Sequence, residues 1–104
     1  MNELIKCSFG LNKTACKLLL RMIKMERSSS VEELAKIMNA DRTTVQKALK
    51  ILIDKKLVSR KQKNLENGGY IYIYEAQEKR EIKRRMFQDI ENWTKNANKA
   101  IDSW

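Results

Sequence analysis

Histidine and proline are absent from this 104-residue chain, glycine occurs three times and cysteine twice, and no strictly apolar run is longer than Leu18 to Leu20. Without histidine, Cys7 and Cys16 cannot complete a tetrahedral zinc site, and they supply neither a disulfide framework nor a Cys/His nucleophile pair. They read as two small buried hydrophobes, so no metal and no catalytic residue is expected. Three glycines leave no room for a phosphate-cradling loop, and no other cofactor signature is present. A bilayer needs roughly 20 apolar residues, and Met1 to Gly10 holds no sustained apolar stretch of the signal-peptide type. A soluble, cytoplasmic protein without membrane contact is therefore expected. What remains is 42% hydrophobic and 34% charged, the balance of one helix-rich globular domain at 12.3 kDa. An enzyme is not supported, since adjacent carboxylates such as Glu32-Glu33 are explained by helix capping.

The net charge of +9 is unevenly distributed. Between Arg42 and Lys63 stand Arg42, Lys47, Lys50, Lys55, Lys56, Arg60, Lys61 and Lys63 against Asp54 alone, a net +7 within 22 residues. The segments on either side contribute only +2 together. Crowded cations repel one another unless a polyanion is near, and phosphate backbones, which release counterions when neutralised, are the usual partner.

Caps and periodicity divide the chain. Asn12 is a good N-cap for a first helix that buries Ala15, Leu18, Leu19, Met22 and Ile23 and runs to about Glu26. Ser30-Val31-Glu32-Glu33 is a capping box opening a short second helix with Val31, Leu34, Ala35 and Met38 inward. Asn39-Ala40-Asp41 breaks that helix, and Asp41 caps a third from Arg42 to about Lys55, with Val45, Ala48, Leu49 and Leu52 inward. Arg42, Thr43, Thr44, Gln46, Lys47 and Lys50 are left facing outward. Two alternating runs, Leu57 to Lys63 and Tyr70 to Glu75, flank the turn-rich residues 64–69 and predict a β-hairpin. The tyrosine face and the isoleucine face of the second run are equally apolar, so which of them is buried stays open. From about Gln77 the pattern is helical again.

Two short helices joined by a tight turn and followed by a basic hairpin form a winged helix-turn-helix, a mainly α fold with a small β wing. In such a fold the N-terminal half of the second helix of the motif meets the major groove. Arg42, Thr43, Thr44, Gln46 and Lys47 suit base edges, whereas Lys50, Arg60, Lys61 and Lys63 suit phosphates and Asn64 and Asn67 at the wing tip suit the minor groove. The runs Ser30 to Met38, Asp41 to Leu49 and Leu57-Val58-Ser59-Arg60 resemble the winged helix domains of MarR-like and TrmB-like prokaryotic transcription regulators. Phe9-Gly10-Leu11-Asn12 resembles the TrmB-like approach to the first helix, and Gly69-Tyr70-Ile71-Tyr72 its returning wing strand. The resemblance covers residues 4–76 and implies sequence-specific binding of double-stranded DNA by a homodimer that controls transcription. Two features depart from it: Lys56 stands where these families have glycine before the wing, and the chain ends before any sugar-sensing domain, so an effector of unknown identity would act at the DNA-binding domain or the subunit interface.

Domain limits are expected at 1–76 for the DNA-binding domain and 77–104 for a dimerisation helix. Ile90, Trp93, Ala97, Ala100 and Trp104 recur at spacings of 3 and 4, with Met86 and Ile101 close to the same stripe. The first turns, around Ile82 and Met86, are expected to fold back on the domain. Further along, the stripe outruns a domain of this size and predicts pairing with a second copy. A winged helix used for protein or RNA contacts is the alternative, although such a domain would carry apolar rather than basic residues on the exposed face of its third helix.

Overall fold

The computed structural model describes residues 10–103, and these form helices α1 (Lys13–Met25), α2 (Val31–Met38) and α3 (Arg42–Asp54), strands β1 (Val58–Asn64) and β2 (Tyr70–Ala76), and helix α4 (Lys79–Asp102). Among the described residues no helix is long and apolar enough to cross a membrane.

Each of the three short helices starts where a side-chain oxygen can take an orphan amide. Asn12 Oδ1 accepts from the Ala15 amide at 2.8 Å, Ser30 Oγ from Glu33 at 3.3 Å and Asp41 Oδ1 from Thr44 at 2.8 Å. The expected capping box at Ser30 forms on the serine side; the Glu33 carboxylate instead pairs with Arg27 at 3.3 Å. The helices end on left-handed residues that are not glycine: Glu26 at φ 53°, Asn39 at φ 50° and Lys56 at φ 60°. At α2 and α3 the closure is a Schellman motif, with Ala40 N–H donating to Ala35 and Leu57 N–H to Leu52.

Apolar faces of α1, α2 and α3 meet in one core of leucine-rich side chains, Leu18, Leu19, Leu34, Leu49 and Leu52 among them, closed below by Leu57, Val58 and Tyr74. Cys16 lies in this core, as expected of a small hydrophobe, whereas Cys7 is outside the described residues. Ile82 and Met86 cover the core from α4, at 2% and 6% exposure. The first turns of α4 thus fold back on the domain as expected, and Met86, which was also counted with the intersubunit stripe, belongs to the chain's own core.

The two strands pair antiparallel, Val58 with Ala76 through Asn64 with Tyr70. Gly68 and Gly69 turn the chain at φ 83° and 81°, a region that side chains disfavour. A single-residue bridge, not anticipated from the sequence, joins the hairpin at its foot: Ser29 and Tyr74 exchange both amide-carbonyl bonds, at 2.9 and 2.8 Å. The molecule is a winged helix-turn-helix with a long C-terminal helix.

Candidate nucleic-acid interface

Burial of Val45, Ala48, Leu49 and Leu52 fixes the rotation of α3 about its axis, which places Arg42, Thr43, Thr44, Gln46, Lys47 and Lys50 in solvent, as expected. The face is not idle. Arg42 is drawn back toward α2 by a 2.6 Å ion pair with Glu32, both side chains being more than half exposed. Exposed pairs of this kind contribute about 0–1 kcal/mol, so a phosphate or base can displace the carboxylate readily. Thr44 is held at the cap: hydrogen bonds from its hydroxyl and then from its amide keep the Asp41 carboxyl below the usual carboxylate range, with a smaller contribution from Lys47. Among the described residues Thr43, Gln46 and Lys50 have no such partner, Lys47 has only its weak attraction to Asp41, and these four are the most available of the set.

The wing departs from its expected layout. Alternation along β1 places Arg60, Gln62 and Asn64 on the same face as their partners Tyr74, Tyr72 and Tyr70, and puts Lys61 and Lys63 on the other face with Ile73 and Ile71. The basic wing is thus divided between two surfaces. The open question of which β2 face is buried resolves by distance from the core: Tyr74 at the foot is buried, Ile73 is half-buried, and Tyr70, Ile71 and Tyr72 are exposed. Arg60 lies over the Tyr72 ring at 4.3 Å, and Gln62 donates to Asn64 Oδ1 at 3.2 Å. A hydrogen bond between the Tyr70 and Tyr72 hydroxyls raises the Tyr70 phenol above its ordinary range.

The C-terminal helix is tied to the end of α3 by a contact that linear reading missed. Arg85 of α4 donates to the carbonyls of Lys56 and Lys55, at 2.7 and 2.5 Å. These are carbonyls at the C-terminal end of α3, where a cation also complements the helix dipole. The turn out of α3 is thus made by a lysine in the left-handed conformation and an arginine brought from 29 residues away.

A second cationic surface was also invisible in the linear charge count. α1, the end of α2 and the start of α4 line an open groove of about 580 Å³ with Leu20, Ile23, Ile37, Met38, Ile82 and Met86 as its floor. Lys17, Arg21, Lys24, Lys79 and Lys83 surround it, and no carboxylate takes part in the lining. These cations come from two segments that are nearly neutral when counted separately, and only the fold brings them together.

Along α4 the stripe of apolar residues continues past the core. Ile90, Trp93 and Ile101 are 36%, 72% and 68% exposed, Ala100 is exposed and Ala97 half-buried. Phe87, 74% exposed and absent from the expected seam, borders the same stripe. Its offset from the 3–4 rhythm hid it. Trp104 lies outside the described residues. Among the described residues no group of acidic and thiol side chains could hold a metal ion.

The chain is 35% identical over 101 residues to the uncharacterized protein MJ1503 of Methanocaldococcus jannaschii, an alignment that covers 97% of this chain and 76% of that one. Among solved structures, a possible transcriptional regulator from Methanosarcina mazei Go1 superposes with a TM-score of 0.90 at 28% identity, over 98% of this chain and 86% of the other. The ST1889 protein of Sulfolobus tokodaii superposes with a TM-score of 0.75 at 27% identity, over 91% and 92% of the two chains. Residues 4–97 match the DnaD N-terminal domain family, to which this chain belongs.

Proposed function

We propose that the protein is a non-enzymatic, sequence-specific regulator of transcription that binds double-stranded DNA as a homodimer, in the manner of the MarR-like and TrmB-like proteins it resembles. α3 enters the major groove with Arg42, Thr43, Gln46 and Lys47 toward base edges and Thr44 at the margin, while Lys50 and the wing residues Arg60, Lys61, Lys63 and Asn64 meet the backbone or the minor groove. The observation that carries this reading is that the cation-rich stretch of sequence coincides with the solvent face of the second helix of a helix-turn-helix and with its wing. Folding alone does not require that coincidence. The name of the Methanosarcina relative, a possible transcriptional regulator, points to the same role.

Selection of bound duplexes from a random pool tests the reading and is expected to return an inverted repeat, bound with a steep salt dependence. Arg42→Glu and Lys47→Glu should each weaken binding to the selected duplex by about ten- to a hundredfold, the loss of one base or phosphate contact, with an unchanged melting temperature. Affinity equal to that of the parent in both variants would remove α3 from the interface.

A further inference from the structure

Two aromatic rings at the outer end of the wing are not used by the core. Tyr74, at the foot of β2, is 7% exposed, whereas Tyr72 and Tyr70 on the same face are 37% and 54% exposed. The two outer rings meet edge to face, with centroids 5.4 Å apart and planes at 68°. Arg60, from the paired strand, lays its guanidinium 4.3 Å from the Tyr72 centroid. Aromatic rings and an ordered guanidinium plane therefore share one solvent face of a two-stranded ribbon, and the Gln62 and Asn64 amides lie beside them.

Such a face matches the flat, electron-rich surface of a nucleobase. Stacking on tyrosine or on arginine is indifferent to base identity and holds single strands in grooves that are also cationic. In a closed duplex each base is already stacked on its neighbours, so free base faces exist only where strands are unpaired. The charge is of the right sign, since Lys61 and Lys63 stand on the reverse of the same ribbon and Lys55 and Lys56 precede it.

We infer that the Tyr70, Tyr72 and Arg60 face of the wing is a stacking platform for unpaired bases, so that the protein holds single-stranded or locally opened DNA as well as closed duplex. The inference rests on the DNA-binding reading given under Proposed function and adds a second ligand class to it.

Fluorescence anisotropy of the full chain with oligothymidine, which does not self-pair, and with a closed duplex tests it. Tyr70→Thr together with Tyr72→Thr keeps β-branched strand formers in place and removes both rings. Affinity for oligothymidine is expected to fall roughly tenfold or more. The salt slope should stay unchanged because no cation is lost, and duplex affinity should be unaffected. Tyr70→Phe with Tyr72→Phe, which keeps the rings, is expected to restore binding. Oligothymidine affinity equal to the parent's, an equal loss on both DNA forms, or phenylalanines as weak as threonines would each overturn the platform. A parent chain that binds duplex but not oligothymidine overturns the inference alone, and one that binds neither removes the DNA-binding reading with it.

Discussion

Lys56 holds a left-handed backbone at φ 60°, where a Cβ crowds the neighbouring carbonyl at a cost of roughly 1–2 kcal/mol. Glycine avoids that cost but loses about 0.5–1 kcal/mol more chain entropy on folding. Lys56→Gly is therefore expected to stabilise the protein by about 0.5–1 kcal/mol, raising the melting temperature by a few degrees in thermal unfolding followed by circular dichroism. A lower melting temperature would mean that the lysine side chain itself supports the wing. Asp41 gives a pH-dependent counterpart. Its folded pKa is depressed below the ordinary 3.8 by hydrogen bonds from Thr44, so its contribution is complete above that value and is lost as pH falls through the folded pKa. Asp41→Asn retains the capping oxygen without the titration. Between neutral pH and pH values below 3.8, its melting temperature should fall less than the parent's. Parallel curves for the two proteins would show that the cap carries no linked proton.

At the scale of elements, the helices were legible because their caps and apolar periods are local: Asn12, Ser30 and Asp41 begin them where the sequence said they would. The hairpin was legible from alternation and from Gly68-Gly69. What could not be read depends on contacts distant in sequence. The Ser29 to Tyr74 bridge spans 45 residues and leaves no local pattern at Ser29. The Arg85 link to the end of α3 and the cationic groove are likewise products of packing, because α4 must first be laid on the core by Ile82 and Met86. The face of β2 could not be assigned since no single face is buried: the ribbon leaves the core as it extends, and burial decays from Tyr74 outward. For the candidate interface, the exposed side of α3 followed directly from its buried side. The pairing of Arg42 with Glu32 did not, because it joins two helices through an exposed pair.

For the whole molecule, the decisive feature is where the core stops along α4. Met86, Ile90, Trp93 and Ala97 lie within about 60° of one line on the helix surface at ~100° per residue. Met86 on that line is 6% exposed and Trp93 is 72% exposed, so one continuous apolar stripe is covered by its own domain for two turns and, among the described residues, by nothing thereafter. The chain extends 64 Å along its longest axis and about 23 Å across, in keeping with a helix that projects beyond its domain. Apolar stripes of this length mark interfaces. Under the proposed two-fold arrangement the seam would hold two α3 helices about 34–36 Å apart, one DNA turn. Trp93→Glu with Ile101→Glu places charge on the exposed stretch while leaving Ile82, Met86 and the core untouched. Light scattering is expected to show monomers for this variant against dimers for the parent. Affinity for a full inverted repeat should fall sharply, because two linked half-sites become two independent binding events, while affinity for an isolated half-site stays the same. A variant that remains dimeric would remove distal α4 from the assembly, and one that loses half-site binding as well would show that α4 acts on α3 within a single chain, through Arg85.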